Sequence, residues 1–227
     1  MKQLALHLSA PPAPSIENFV AGRNAELLQT LVDLVSADRR ERFVYLWGQP
    51  RCGKSHLLRA LVDSTERAGL SSAYIPGAAC DSVDIVGENR VLAIDDVHRL
   101  DDRGQNALFN LYNELRAGNG VLVTSGATAP AQLGLRPDVV TRLGWGLVYQ
   151  LHPLSDEDKT KALASRALER GFRLPQEVGD YLLTHWRRDL PSLLEMVDAL
   201  DRFSLENQRA ITLPLLKKLL ETLATPR

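Results

Sequence analysis

The stretch Gly48-Gln49-Pro50-Arg51-Cys52-Gly53-Lys54-Ser55 decides the fold class of this chain. It fits the pattern G-x-x-x-x-G-K-[ST], and its flanks matter as much as its letters. Before it, Phe43-Val44-Tyr45-Leu46-Trp47 reads as a short apolar strand; after it, Ser55 to Arg67 carries apolar residues at helical spacing. A glycine-rich turn between strand and helix wraps backbone amides around phosphate groups. Gly48 and Gly53 are then the glycines of the loop, Lys54 the cation that reaches the β- and γ-phosphates, and Ser55 a Mg²⁺ ligand. The expected cofactors are ATP or ADP with Mg²⁺. A glycine-rich turn that merely caps a helix would share the letters but needs no such flanks. Cys52, inside the loop, offers a thiol for oxidation or alkylation, although filling the loop passively is the plainer reading.

Working outward, Ser72-Ala73-Tyr74-Ile75, Val91-Leu92-Ala93-Ile94, Val121-Leu122-Val123-Thr124 and Leu147-Val148-Tyr149-Gln150 also read as short strands. Arg103 to Arg116 has helical periodicity between two of them. Continuously apolar strands alternating with helices imply a parallel sheet covered on both faces. Asp95-Asp96 closes the strand from Val91 to Ile94. In a Walker B arrangement Asp95 partners Mg²⁺ and Asp96 polarises the attacking water. Asp101 and Asp102 read as solvated loop charges with no assigned role.

After Leu151 the pattern turns helical. Ser155-Asp156-Glu157-Asp158 is a helix start with an acid three residues after its cap, and helical spacing recurs over 160–170, 176–186, 190–204 and 213–223. This is a small all-helical lobe. Composition adds limits. A net charge of −1 gives no bulk signature of duplex DNA or an anionic membrane, and two cysteines make no disulfide framework. No apolar run approaches the roughly 20 residues of a membrane span. The expected location is the cytoplasm, without a membrane partner.

Three stretches resemble one family. Asn18-Phe19-Val20-Ala21-Gly22-Arg23-Asn24 is similar to the lead-in of the AAA+ module of the bacterial replication initiator DnaA. Thr141-Arg142-Leu143-Gly144-Trp145-Gly146-Leu147 looks like its box VII, and Arg188-Asp189-Leu190 like sensor II in its lid. The resemblance runs from about residue 15 to the C-terminus. It implies an α/β AAA+ P-loop module, a parallel sheet sandwiched by helices, over residues 15–153, followed by a helical lid over 154–227. It makes Arg142 the candidate arginine finger acting on a neighbour's nucleotide, with Arg136 a weaker second candidate. Arg188 would reach this chain's own nucleotide from the lid; the plainer alternative is an ion pair with Asp189 or another nearby acid.

Two departures stand out. The initiator carries a DNA-binding domain after its lid, whereas this sequence stops at Arg227, directly after the last expected lid helix. Its T-S-D sensor I is met here by Thr124-Ser125-Gly126, so the chain's own nucleotide is expected to turn over weakly or not at all.

The first 14 residues have a separate reading. Gln3-Leu4-Ala5-Leu6-His7-Leu8 precedes Pro11, Pro12 and Pro14, which favour an extended spacer. The hexapeptide resembles the Q-x-x-L-x-L peptides that bind the β sliding clamp of DNA polymerase III, with Gln3, Leu4, Leu6 and Leu8 as the contacts. Together these resemblances imply a negative regulator of replication initiation. Held on the loaded clamp, and so reaching DNA only indirectly, it would dock on ATP-bound DnaA and stimulate hydrolysis there, leaving the inactive ADP form. Homodimers or higher oligomers are compatible with this. The rival readings are a helicase-loader-like or remodelling ATPase at the replication fork, a sequence-specific DNA-binding protein and a small-molecule P-loop kinase.

Overall fold

The protein is described by a computed structural model over residues 13–36, 41–82 and 90–224. The hexapeptide bearing Gln3, Leu4, Leu6 and Leu8 lies outside the described residues. The described chain forms two compact units, Ala13–Pro153 and residues 154–224.

The first unit runs α1 (Ala25–Asp33), β1 (Phe43–Trp47), α2 (Lys54–Arg67), β2 (Ser71–Pro76), β3 (Arg90–Asp95), α3 (Asp102–Ala117), β4 (Val121–Gly126), α4 (Pro137–Leu143) and β5 (Leu147–Gln150). The five strands form one sheet in the order β2-β3-β4-β1-β5, every pair parallel. Alternation along each strand divides the apolar residues between two cores. Val44, Leu46, Val91, Ala93, Val121 and Val123 pack with Leu27 and Leu31 of α1 and Leu57, Leu58 and Leu61 of α2. Tyr45, Leu92, Ile94 and Leu122 face Leu108, Leu111 and Leu115 of α3 and Val139 of α4. Both faces are therefore buried, which is why the strands read as unbroken apolar runs.

The order also places the site. From β1 the chain crosses past β4 and β3 to reach β2, so the P-loop leaves the sheet where its winding reverses. In open α/β sheets, ligands bind beyond the carboxyl ends of the strands at such a point.

The strand expectations match to within two residues. Helices α1 and α4 had not been anticipated. Residues of α4 number only seven and begin at Pro137, leaving too short a run for periodicity to register. Asp101 is no idle loop charge: it caps α3, its carboxylate accepting from Gly104 N at 2.8 Å.

The second unit comprises α5 (Asp156–Glu169), α6 (Gln176–His185), α7 (Leu190–Asn207) and α8 (Leu213–Ala224). Ser155 starts α5 with a reciprocal capping box: its hydroxyl accepts from Asp158 N and Asp158 accepts from Ser155 N. Leu163, Leu182, Leu193, Leu200 and Leu216, all fully buried, form the core. Arg166 ties α5 to α7 through two bonds to Asp198, at 2.9 and 2.8 Å. No helix among the described residues is long and apolar enough to cross a membrane.

Candidate functional site

Between β1 and α2 the P-loop turns through two left-handed residues, Arg51 (φ 63°) and Gly53 (φ 107°). At 53 the conformation suits glycine, and a Cβ would stand 2.7 Å from the Phe19 ring. Phe19, from the stretch that leads into α1, thus lies against the loop, its ring 5.5 Å from His56. Asn24 anchors that stretch: buried, it donates to Ala21 O and His152 O and accepts from His152 N at 2.8 Å. Lys54 is 8% exposed, and its ammonium donates to Gly48 O (2.8 Å) and Gln49 O (3.2 Å) across the loop. Burial pushes the Cys52 thiol up, against the pull of Lys54, which keeps it in its unreactive form.

At the end of β3, Asp95 is 4% exposed. Burial pushes its carboxyl up, but hydrogen bonds from Ser125, Ser55, Tyr74 and the Asp96 amide outweigh this and hold it below its ordinary value. Tyr74 donates at 2.6 Å and Asp96 N at 3.1 Å, while the Ser125 hydroxyl donates to Oδ1. Because β4 lies between β1 and β3, Ser125 stands between the two motifs and also accepts from Asp96 N at 3.0 Å. Asp96 has a left-handed backbone (φ 54°) and a half-exposed side chain. Gly77 makes room for that turn, since a Cβ there would meet Asp95 O and Asp96 O at 2.7 and 2.8 Å.

Lys54, Ser55 and Asp95 are thus brought together. A hydroxyl and a carboxylate in contact make a hard-oxygen pair suited to Mg²⁺, which keeps several waters and takes other ligands from phosphates. No cluster of three or more His, Cys, Asp or Glu that could hold a metal by itself occurs among the described residues. Tyr74, Ser125 and Gly77 had no assigned role in the sequence. Tyr74 and Ser125 do stand in the carboxyl-terminal halves of the strands next to β3, which is the one signal that could have found them.

Gly126 has a structural reason. A Cβ there would overlap the Tyr45 hydroxyl, which donates to Thr128 O at 2.7 Å. The space where a sensor I side chain would begin is filled from β1. Gly126→Ala should destabilise the fold by about 1–3 kcal/mol, the usual cost of overpacking. Tyr45→Phe in that background should restore part of the loss, which thermal melts of the single and double variants would measure.

Arg142 ends α4. Its Nε and Nη2 donate to Asn113 Oδ1 (3.3 and 3.2 Å) and its Nη1 to Asp138 O (3.1 Å), so three of the five N–H donors of the guanidinium are used. The same group lies 3.6 Å from the Phe109 ring centre and 5.5 Å from that of Trp145. It pairs with no carboxylate among the described residues. Arg136 differs, because its guanidinium is engaged by Asn106 and by Asp138 at 2.7 Å. Gly146, shortly after Arg142, sits so close to Phe43 that a Cβ would overlap the Phe43 carbonyl. That marks the start of β1, roughly 13 Å along the strand from its P-loop end. Phe109 and Asn113, which hold Arg142, come from α3, and no local pattern pairs them with it.

Arg188 belongs to the helical unit and bonds both carboxylate oxygens of Asp156 at 2.6 Å. Its partner is not Asp189, which instead caps α7 by accepting from Ser192 N. The Arg188 guanidinium also holds the exposed Asp156 carboxyl below its ordinary range.

Comparison with known proteins bears on the fold and on the helical unit. Residues 156–220 match the family "Hda, lid domain". Domain III of the replication initiation protein DnaA from Thermotoga maritima is similar in structure, with a TM-score of 0.74, 22% identity, and 95% of this chain and 99% of that one covered. AMPPCP-bound DnaA from Aquifex aeolicus gives 0.71 and 20%, covering 86% and 67%. The Thermotoga maritima RuvB Holliday junction branch migration motor gives 0.68 and 15%, covering 92% and 72%. The helical unit is therefore similar to the Hda lid domain, and the chain shares its fold with DnaA domain III and other AAA+ proteins.

Proposed function

We propose that this AAA+ protein with an Hda-like lid is a nucleotide-bound negative regulator of replication initiation, acting on the ATP of DnaA. The observation that carries the proposal is Arg142, an arginine without a carboxylate partner among the described residues, held near the opposite end of β1 from its own P-loop. Phosphoryl transfer spreads negative charge over the γ-phosphoryl oxygens, and an arginine supplied by a neighbour stabilises it. In this reading Gly48, Gly53 and Lys54 hold the chain's own ATP or ADP. Ser55 and Asp95 hold its Mg²⁺, and Arg188 exchanges Asp156 for a phosphate. Asp96 is the residue that would orient water. With a glycine at 126, turnover of this nucleotide is a minor activity, and bound nucleotide serves mainly to organise the module.

The hexapeptide from Gln3 to Leu8 is the proposed attachment to the β sliding clamp: leucines fill an apolar pocket and the glutamine amide bonds at its rim. Alanine at Gln3, Leu6 and Leu8 together should weaken clamp binding by about a hundredfold or more, because a few anchors carry most of such affinity. Nucleotide affinity should not change. Pull-down on clamp and calorimetry with ADP would check both halves.

The test of the function is conversion of ATP-bound to ADP-bound DnaA with this protein, in the presence and absence of clamp loaded on DNA. Stimulation that requires the loaded clamp supports the reading, and its absence refutes it. A second reading, a remodelling or helicase-loading ATPase, draws on the intact Asp95-Asp96 pair. It calls for robust intrinsic hydrolysis stimulated by single-stranded DNA.

A further inference from the structure

Next to Arg142, which lies 5.5 Å from the Trp145 ring, an open pocket of about 480 Å³ is lined by Glu41, Arg42, Phe43, Tyr112, Arg116 and Trp145. Its rings are engaged with one another and with arginine, although Trp145 remains exposed. Phe43 and Tyr112 lie 4.3 Å apart, Tyr112 meets Trp145 edge-on at 5.9 Å, and the Arg116 guanidinium lies over Trp145 at 4.6 Å. Arg42 spends its Nη1 on the last carbonyls of α3, those of Leu115 and Gly118. Arg116, on the exposed face of α3, has no hydrogen bond or ion pair among the described residues. The guanidinium lies over Trp145 and its N–H edge has no partner among the described residues. Three cations reach this place: Arg42, Arg116 and Arg142 all pull down the Tyr112 hydroxyl, although burial pushes it up more. Glu41 is the one carboxylate among the described residues of the lining.

An arginine stacked on an indole, with its donor edge open, suits a planar two-oxygen acceptor. We propose that this pocket binds a carboxylate side chain of an acidic segment on the protein whose nucleotide Arg142 reaches. Its choice of partner rests on the function proposed above. Nucleic acid fits less well: a base stacking on Trp145 would compete with the Arg116 guanidinium already over that ring, and a phosphate chain would pass the Glu41 carboxylate. The pocket shares Trp145 with the Arg142 contact, so a carboxylate seated there would dock the partner directly beside the finger.

The experiment measures anisotropy of three labelled probes with the full chain in saturating Mg-ADP, so that the P-loop is occupied: a short glutamate–leucine peptide, its glutamine–leucine counterpart, and an oligothymidylate. The glutamate peptide should bind saturably, and Arg116→Gln should weaken it by about tenfold or more, the worth of a charge-assisted pair. The other two probes should bind wild type no better than the glutamate peptide binds Arg116→Gln. ADP affinity should be the same in both proteins. Equal binding of both peptides, full affinity in Arg116→Gln, or preference for the oligothymidylate would each overturn the pocket. Because no arm contains DnaA, a protein that binds the peptide as described yet fails to act on DnaA would overturn the function and leave the pocket standing.

Discussion

Arg142→Ala should lower clamp-dependent hydrolysis on DnaA by about 10³-fold or more, where the finger limits the rate. ATP and ADP affinity of this chain should stay as in wild type, since Arg142 is bonded to Asn113 and Asp138 and not to the P-loop. Clamp binding should be unaffected as well. The structure adds a reason why charge alone will not rescue the variant. The Arg142 guanidinium lies over the Phe109 ring and spans Asn113 with two donors at once. Lysine can do neither, so Arg142→Lys should remain poor. Loss of the stack costs some stability, and thermal melts of both variants separate this from loss of the finger. Full activity of Arg142→Ala would direct attention to Arg136, whose charge would first have to leave Asp138. The measurement is single-turnover hydrolysis of ATP bound beforehand to DnaA.

Lys54→Ala should weaken ATP and ADP binding by about 10²-fold or more, as expected when one partner of a desolvated charge pair is removed. The fold should survive. What seats α2 is Leu57, Leu58 and Leu61, each fully buried against the sheet, at about 1.5–3 kcal/mol for each leucine. Lys54 contributes two bonds to loop carbonyls instead, and losing them frees the turn without emptying the core. Calorimetric titration with both nucleotides, beside a thermal melt, checks the pair of outcomes. Unchanged affinity would remove Lys54 from the site.

How far the sequence could be read follows from the range of each interaction. The P-loop, the Asp95-Asp96 pair and the capping box at Ser155 are local patterns, and each stands in the element expected of it. The helical lobe was legible because Leu163, Leu182, Leu193 and Leu200 sit on sustained 3.6-residue periods. What escaped was contact between distant segments. Tyr74 and Ser125 reach Asp95 from strands on either side of β3, and only the strand order brings them there. Asn113 meets Arg142 across 29 positions of sequence. Gly126 was visible as a departure, yet its cause, the hydroxyl of Tyr45 two strand positions before Trp47, required the register of β1 against β4. Asp101 was passed over because a single acid before a helix looks like any loop charge until its bond to Gly104 N is seen.

The central claim is that the phosphate bond broken is the partner's. The most direct measurement uses ATP labelled at the γ-position and bound to one protein at a time. In one reaction labelled ATP is on DnaA and ADP on this chain; in the other, labelled ATP is on this chain and ADP on DnaA, both with clamp loaded on DNA. The account predicts rapid release of labelled phosphate in the first reaction and little in the second. Rapid release in the second, with little in the first, would contradict it and make this chain the ATPase.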